Sequence, residues 1–143
     1  MSDELGFETT LSREIEAPPE RVFDAWLEAE TLRRFMCPSE GMRLGAVEVD
    51  PRPGGAFLIE MIVGDQVLPH RGEYLVLERP ERLSFSWVSK HAGDSSEVSL
   101  SFVDLGAGRT RIDLHHRRLP TAPARDNHEA GWSRILELLG GIS

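Results

Sequence analysis

The chain has 143 residues, 40% of them hydrophobic, with 24 Asp and Glu against 16 Lys and Arg for a formal net charge of −8. That length and composition suit one soluble domain with its own core and leave no room for two, so residues 1–143 read as a single domain. The negative charge disfavours phosphate backbones and anionic lipid, which argues against nucleic acid and the membrane surface as partners.

In chain order, the opening "MSDELGFE" is acidic and lacks the basic and apolar regions of a secretory signal. "FETTLSREI" alternates as a strand, with Phe7, Thr9, Leu11 and Ile15 on one face and Arg13 as the exception. "APPERVFDAWLEAE" starts on two prolines and sets Val22, Phe23, Trp26 and Leu27 on one stripe, the pattern of a short helix. A second short helix over "ETLRRFM" is predicted to stop before Cys37-Pro38, because proline pushes the preceding residue out of the α region. Cys37 is the one cysteine, so no intrachain disulfide forms, which fits a reducing, cytoplasmic location.

From Met42 to about Arg117 the turn residues cut out six strands: "MRLGAVEVD", "AFLIEMIV", "GEYLVLE", "RLSFSWV", "EVSLSFVD" and "RTRIDLHH". The connections are too short for crossover helices, so the neighbours pair antiparallel in a meander. In the last helix His128, Trp132, Ile135, Leu136 and Leu139 share one face, with Thr121 or Asp126 as its cap and Gly140-Gly141 as its end. The stretch from Asp126 to Leu139 spans about 21 Å as a helix, the width of four or five strands at ~4.8 Å spacing. The predicted architecture is α+β, a curved seven-stranded antiparallel sheet wrapped around that helix.

The order of elements is similar to the helix-grip fold of the START-like (SRPBCC) superfamily. The segments "REIEAPPERVFDAWLEAETLRRFMCP", "DPRPGGAF", "HRGEYLVLERPERLSFSWV", "GRTRIDLHH" and "HEAGWSRILELL" resemble the branch named for the activator of the heat-shock-protein-90 ATPase, over nearly the whole chain. The resemblance implies the grip fold and a cavity under the last helix. The namesake co-chaperone carries a further chaperone-binding domain before its START-like one, so the name of the branch does not by itself imply an activity.

No site motif for chemistry stands out. "GGAF" leads into a strand and not a helix, so its glycines serve a turn and no phosphate loop is predicted. His115 and His116 are adjacent on a strand and point to opposite faces, so they do not ligate one metal, and no cofactor is implied. Cys37 lacks the setting of a nucleophile, and no serine sits in a G-x-S-x-G elbow.

The expected ligand site is instead a cavity between sheet and last helix. Leu58, Phe85, Trp87 and Leu100 would line it, with Trp132 from the helix, Tyr74 offering a hydroxyl, and Glu60 and His116 as polar groups on apolar strand faces. Three functions follow, in order of preference. The first is a binder of a small hydrophobic or amphipathic ligand, as monomer or homodimer. The second is a chaperone-accessory or other protein-partner module with a filled interior. The third is a polyketide-cyclase-like enzyme, which needs Glu60 and His116 to meet as an acid/base pair.

Overall fold

The computed structural model describes residues 6–37 and 39–142; the acidic start through Leu5 and the Pro38 stop signal lie outside them. Strand β1 (Phe7–Ile15) leads into helices α1 (Pro19–Ala25) and α2 (Ala29–Phe35). Six strands follow: β2 (Arg43–Val49), β3 (Ala56–Val63), β4 (Gln66–Glu78), β5 (Arg82–Ser89), β6 (Gly93–Gly106) and β7 (Arg109–Leu119). Helix α3 (Ala122–Leu139) ends in a short 3-10 turn, Gly140–Ile142.

The strands form one antiparallel sheet in the order β1-β7-β6-β5-β4-β3-β2. The meander runs from β2 to β7, and β1 closes the other side by pairing with β7, Leu11 opposite Leu114 and Arg13 opposite Ile112. Register shifts interrupt β2 between Leu44 and Val47, β4 between Tyr74 and Val76, and β5 between Trp87 and Ser89. Each such irregularity increases local twist, which curls the sheet toward α3. A further one lies between Phe7 and Thr9; Phe7, at the strand's start, is 39% exposed, with the Arg125 guanidinium of the last helix 5.5 Å from its ring centroid.

Alternate residues make the inner face: Leu83, Phe85 and Trp87 on β5, Val98, Leu100 and Phe102 on β6, Ile112, Leu114 and His116 on β7. Helix α3 lays Trp132, Ile135, Leu136 and Leu139 against that layer. Its cap is Thr121, whose hydroxyl accepts from the Ala124 N–H at 3.1 Å, so the helix has 18 residues, longer than a start at Asp126 allows. The short helices plug one end, Phe23 edge-on to Phe102 and Trp26 edge-on to Phe35 at centroid distances of 5.3 and 5.1 Å.

Strand β3 corrects the sequence reading. Phe57, Ile59 and Met61 point inward, and Leu58, Glu60 and Ile62 form the outer face, the reverse of the expected phase. Both phases of "AFLIEMIV" are apolar, so alternation alone was ambiguous; burying the phase that contains Glu60 would strand a carboxylate. On the outer face the Glu60 carboxylate accepts the Ala46 N–H at 3.1 Å, within the stretch where the β2–β3 register shifts. It serves a backbone donor that the interrupted ladder leaves over.

Strand β4 is longer than expected, starting at Gln66 and not near Gly72. Pro69 argues against a central strand, but pairing of β4 with β5 begins only at Arg71 opposite Val88. Residues 66–70 are thus paired on one side alone, to β3, where proline is tolerated. That extension carries Leu68 and His70 onto the inner side. Two residues on, a Cβ at Gly72 would meet the Ser86 carbonyl oxygen at 2.0 Å and the Phe57 ring at 2.4 Å. Gly72→Ala should therefore cost about 1–3 kcal/mol through forced displacement of strand β5, read as a lower urea midpoint; an unchanged midpoint would contradict this packing.

Candidate functional site

Helix α3 does not lie flush on the sheet along its whole length. Between its N-terminal half and the β3–β5 part of the sheet is an open cavity of about 390 Å³. The sheet contributes Met61, Leu68, His70 and Trp87, and α3 contributes Asn127, His128, Gly131, Trp132 and Ile135. Ser39 and Met42, just before β2, and His91, in the β5–β6 turn, complete the rim. Gly131 costs about 1 kcal/mol relative to Ala in a helix interior, and it lies on the cavity wall.

Of the residues expected to line a cavity, Trp87 and Trp132 do so, with ring centroids 5.1 Å apart. Tyr74 and Phe85 also face inward but lie deeper, around a nearly filled space of about 10 Å³ under α1 and α2. Burial raises the Tyr74 phenol above its ordinary range, with the charge of Asp50 adding to the effect. Leu100 is packed core, 1% exposed, and does not line the cavity. Leu58 and Glu60 are on the outer face of the sheet, so Glu60 and His116 are not brought together.

His116 sits behind Trp132, fully buried, in a directional chain of hydrogen bonds. The Trp132 indole N–H donates to His116 Nδ1 at 2.9 Å, so Nδ1 carries the lone pair and Nε2 the proton. His116 Nε2–H then donates to Ser96 Oγ at 2.9 Å, and the Ser96 hydroxyl donates to the Trp87 carbonyl at 2.6 Å. A serine nucleophile needs the opposite polarity, with histidine accepting the hydroxyl proton. The chain therefore ties α3 to β7, β6 and β5 and does not activate Ser96. Burial, with the neighbouring His128 and His115, pulls the His116 pKa down to about 3, as a neutral acceptor for an indole requires. The Cys37 thiol donates to the Met42 carbonyl at 3.2 Å, a local structural contact.

Two other imidazoles have equally defined tautomers. His70 Nδ1 lies 3.0 Å from the Leu68 carbonyl and His128 Nδ1 lies 2.8 Å from the Ala124 carbonyl. Since a carbonyl only accepts, each Nδ1 holds the proton, and the Nε2 of His128 presents a bare lone pair. Burial lowers His70 to about 4, with His128 and His91 adding to the shift, and burial likewise lowers His128. Sequence reasoning missed this group: His70 fell in the unassigned half of β4, His91 in a turn, and only topology joins them to α3. His115, on the opposite face of β7, pairs with Glu8. Among the described residues no group of three or more His, Cys, Asp or Glu side chains is arranged to hold a metal ion, and no helix is long and apolar enough to cross a membrane.

The family model for activator of Hsp90 ATPase homolog 1-like proteins matches residues 16–142. The chain belongs to this family. Among solved structures similar to this member of the activator-homolog family is a protein of Chromobacterium violaceum, 29% identical, with a TM-score of 0.86 over 94% of this chain and 96% of that one. An AHSA1-like protein of Aeromonas hydrophila is 26% identical, with a TM-score of 0.76 over 93% and 90%. An HSP90 activator of Plasmodium falciparum, 23% identical with a TM-score of 0.75 over 96% of each chain, shares the fold. No curated protein matches the chain. The segment resemblance and the helix-grip architecture read from the sequence both hold.

Proposed function

We propose that the protein, acting as one START-like domain, binds a small hydrophobic or amphipathic molecule between its sheet and α3. The observation that carries this reading is the cavity. Its volume of about 390 Å³ falls in the range of small-molecule sites, about 300–1,000 Å³. Its walls are mainly apolar and aromatic with a few polar side chains, the make-up that gives affinity by burial and orientation by hydrogen bonding. A module working only through its outer surface would gain stability by closing this space, since burial of apolar surface is worth ~25 cal/mol per Å².

Catalysis by an acid/base pair finds no support in the geometry, because Glu60 and His116 lie on opposite faces of the sheet and the His116 N–H is already committed to Ser96. The chaperone-accessory reading draws on the family match and on a likeness of fold to the Plasmodium falciparum activator.

Titration with the uncharged probe N-phenyl-1-naphthylamine tests the proposal. The probe should quench tryptophan fluorescence through Trp87 and Trp132. Gly131→Leu, which places a branched side chain on the cavity wall, should abolish the effect in protein that still unfolds cooperatively. Glu60→Leu, on the outer face, should leave probe affinity unchanged. Equal affinity in wild-type and Gly131→Leu protein would show that no ligand occupies this space.

A further inference from the structure

The rim of the cavity has an unusual chemical character. Among the described residues its polar side chains are three imidazoles, Ser39 and Asn127, and no Asp, Glu, Lys or Arg lines it. An anionic ligand would be desolvated there with no cation to pair it, and a cationic one with no carboxylate. The overall charge of −8 further disfavours an anion.

The imidazoles are not interchangeable polar groups, because their Nδ1–H bonds to backbone carbonyls settle which nitrogen faces outward. For His128 the remaining Nε2 is an acceptor with no hydrogen-bond partner among the described residues, while the His70 imidazole, held by the Leu68 carbonyl, also interacts with the Ile59 backbone. The two imidazoles come from different elements, β4 and α3, and converge on one space whose walls include Trp87 and Trp132, their ring planes inclined at 56°. His91, exposed and without a hydrogen-bond partner among the described residues, stands at the same rim.

Accepting the cavity as a ligand site, we propose that its ligand is an uncharged, ring-containing molecule bearing a hydroxyl, with the rings against Trp87 and Trp132 and the hydroxyl donating to Nε2 of His128. An O–H donor satisfies a lone pair that an apolar ligand would bury unmet, and a ring system packs against the indoles. Selection against charge comes from the absence of a counter-ion. Selection for the hydroxyl comes from leaving a buried acceptor unpaired when it is missing.

Three probes of one shape separate these terms: 2-naphthol, naphthalene and 2-naphthoate, titrated at pH 7.5 into the wild-type protein. 2-Naphthol should bind about tenfold more tightly than naphthalene, the fold-change of one well-made hydrogen bond, and 2-naphthoate should bind more weakly than both. The ¹⁵N resonance of the unprotonated Nε2 of His128 should shift on adding 2-naphthol and not on adding naphthalene. In a His128→Leu variant the preference for naphthol over naphthalene should vanish; the ¹⁵N measurement decides the matter on wild-type protein if that variant does not fold. Naphthalene binding as tightly as naphthol, or naphthoate binding best, would overturn the hydroxyl assignment and leave the cavity as an apolar site. Binding of none of the three would overturn the cavity as a ligand site as well.

Discussion

Acidification from pH 7 to pH 4.5 is expected to remove several kcal/mol of stability from this protein, well before ordinary acid denaturation. His70 and His116 have folded-state pKa values near 4 and 3, against 6.5 for an exposed histidine. The folded state thus keeps both imidazoles neutral while the unfolded chain protonates them. Stability is full above pH 6.5 and falls as pH drops through the window down to the folded values, because the unfolded state binds more protons there. Each group contributes a slope of about 1.4 kcal/mol per pH unit within the window, so the pair gives about 2.7. Against a typical total of about 5–15 kcal/mol, that is a large share. Urea unfolding at pH 7, 6 and 5 measures it. His70→Phe should flatten the slope by about 1.4 kcal/mol per pH unit, and a wild-type stability independent of pH between 6.5 and 5 would refute the burial of these neutral imidazoles.

Removal of Trp132 is expected to be the most damaging single substitution in α3. Trp132 is 2% exposed and touches Trp26, Trp87 and His116, with centroid distances of 6.3, 5.1 and 6.0 Å. Trp132→Ala should cost about 3–5 kcal/mol, the range for a large buried aromatic, and should release the grip of α3 on β5 and β7. Trp132→Phe retains most of the apolar contact but leaves His116 Nδ1 without its donor, a loss of about 1–3 kcal/mol. Combined with His116→Leu, Trp132→Phe should cost less than the sum of the two, with a coupling of at least about 1 kcal/mol. Strict additivity in that cycle would mean that the Trp132–His116 bond does not hold the helix to the sheet.

Local signals in the chain were enough to identify the three helices, the seven strands and the architecture, though not every boundary. Helix and strand periods, proline and glycine punctuation and short connections are properties of neighbouring residues, so α1, α2, α3 and all seven strands could be read in order. The inward set Val98, Leu100 and Phe102 was legible for the same reason, since its alternate positions, Ser99 and Ser101, are polar. His116 was legible as inward-facing because it continues the face of Ile112 and Leu114, but it is buried behind Trp132 and does not line the cavity as expected.

Tertiary structure decided what those signals leave open. The phase of β3 turned on whether Glu60 could be served outside the sheet, which depends on Ala46 across the strand pair. The reach of β4 through Pro69 turned on where β5 stops pairing with it. Above all, the site turned on a distance that no sequence period contains, the separation of α3 from the sheet beside Gly131. His70, His91 and His128 lie far apart in sequence and share a cavity only because the curled sheet brings the β3–β4 end and the β5–β6 turn under one helix. Secondary structure follows from interactions within a few residues; a cavity is what remains when distant surfaces, each satisfied locally, fail to meet.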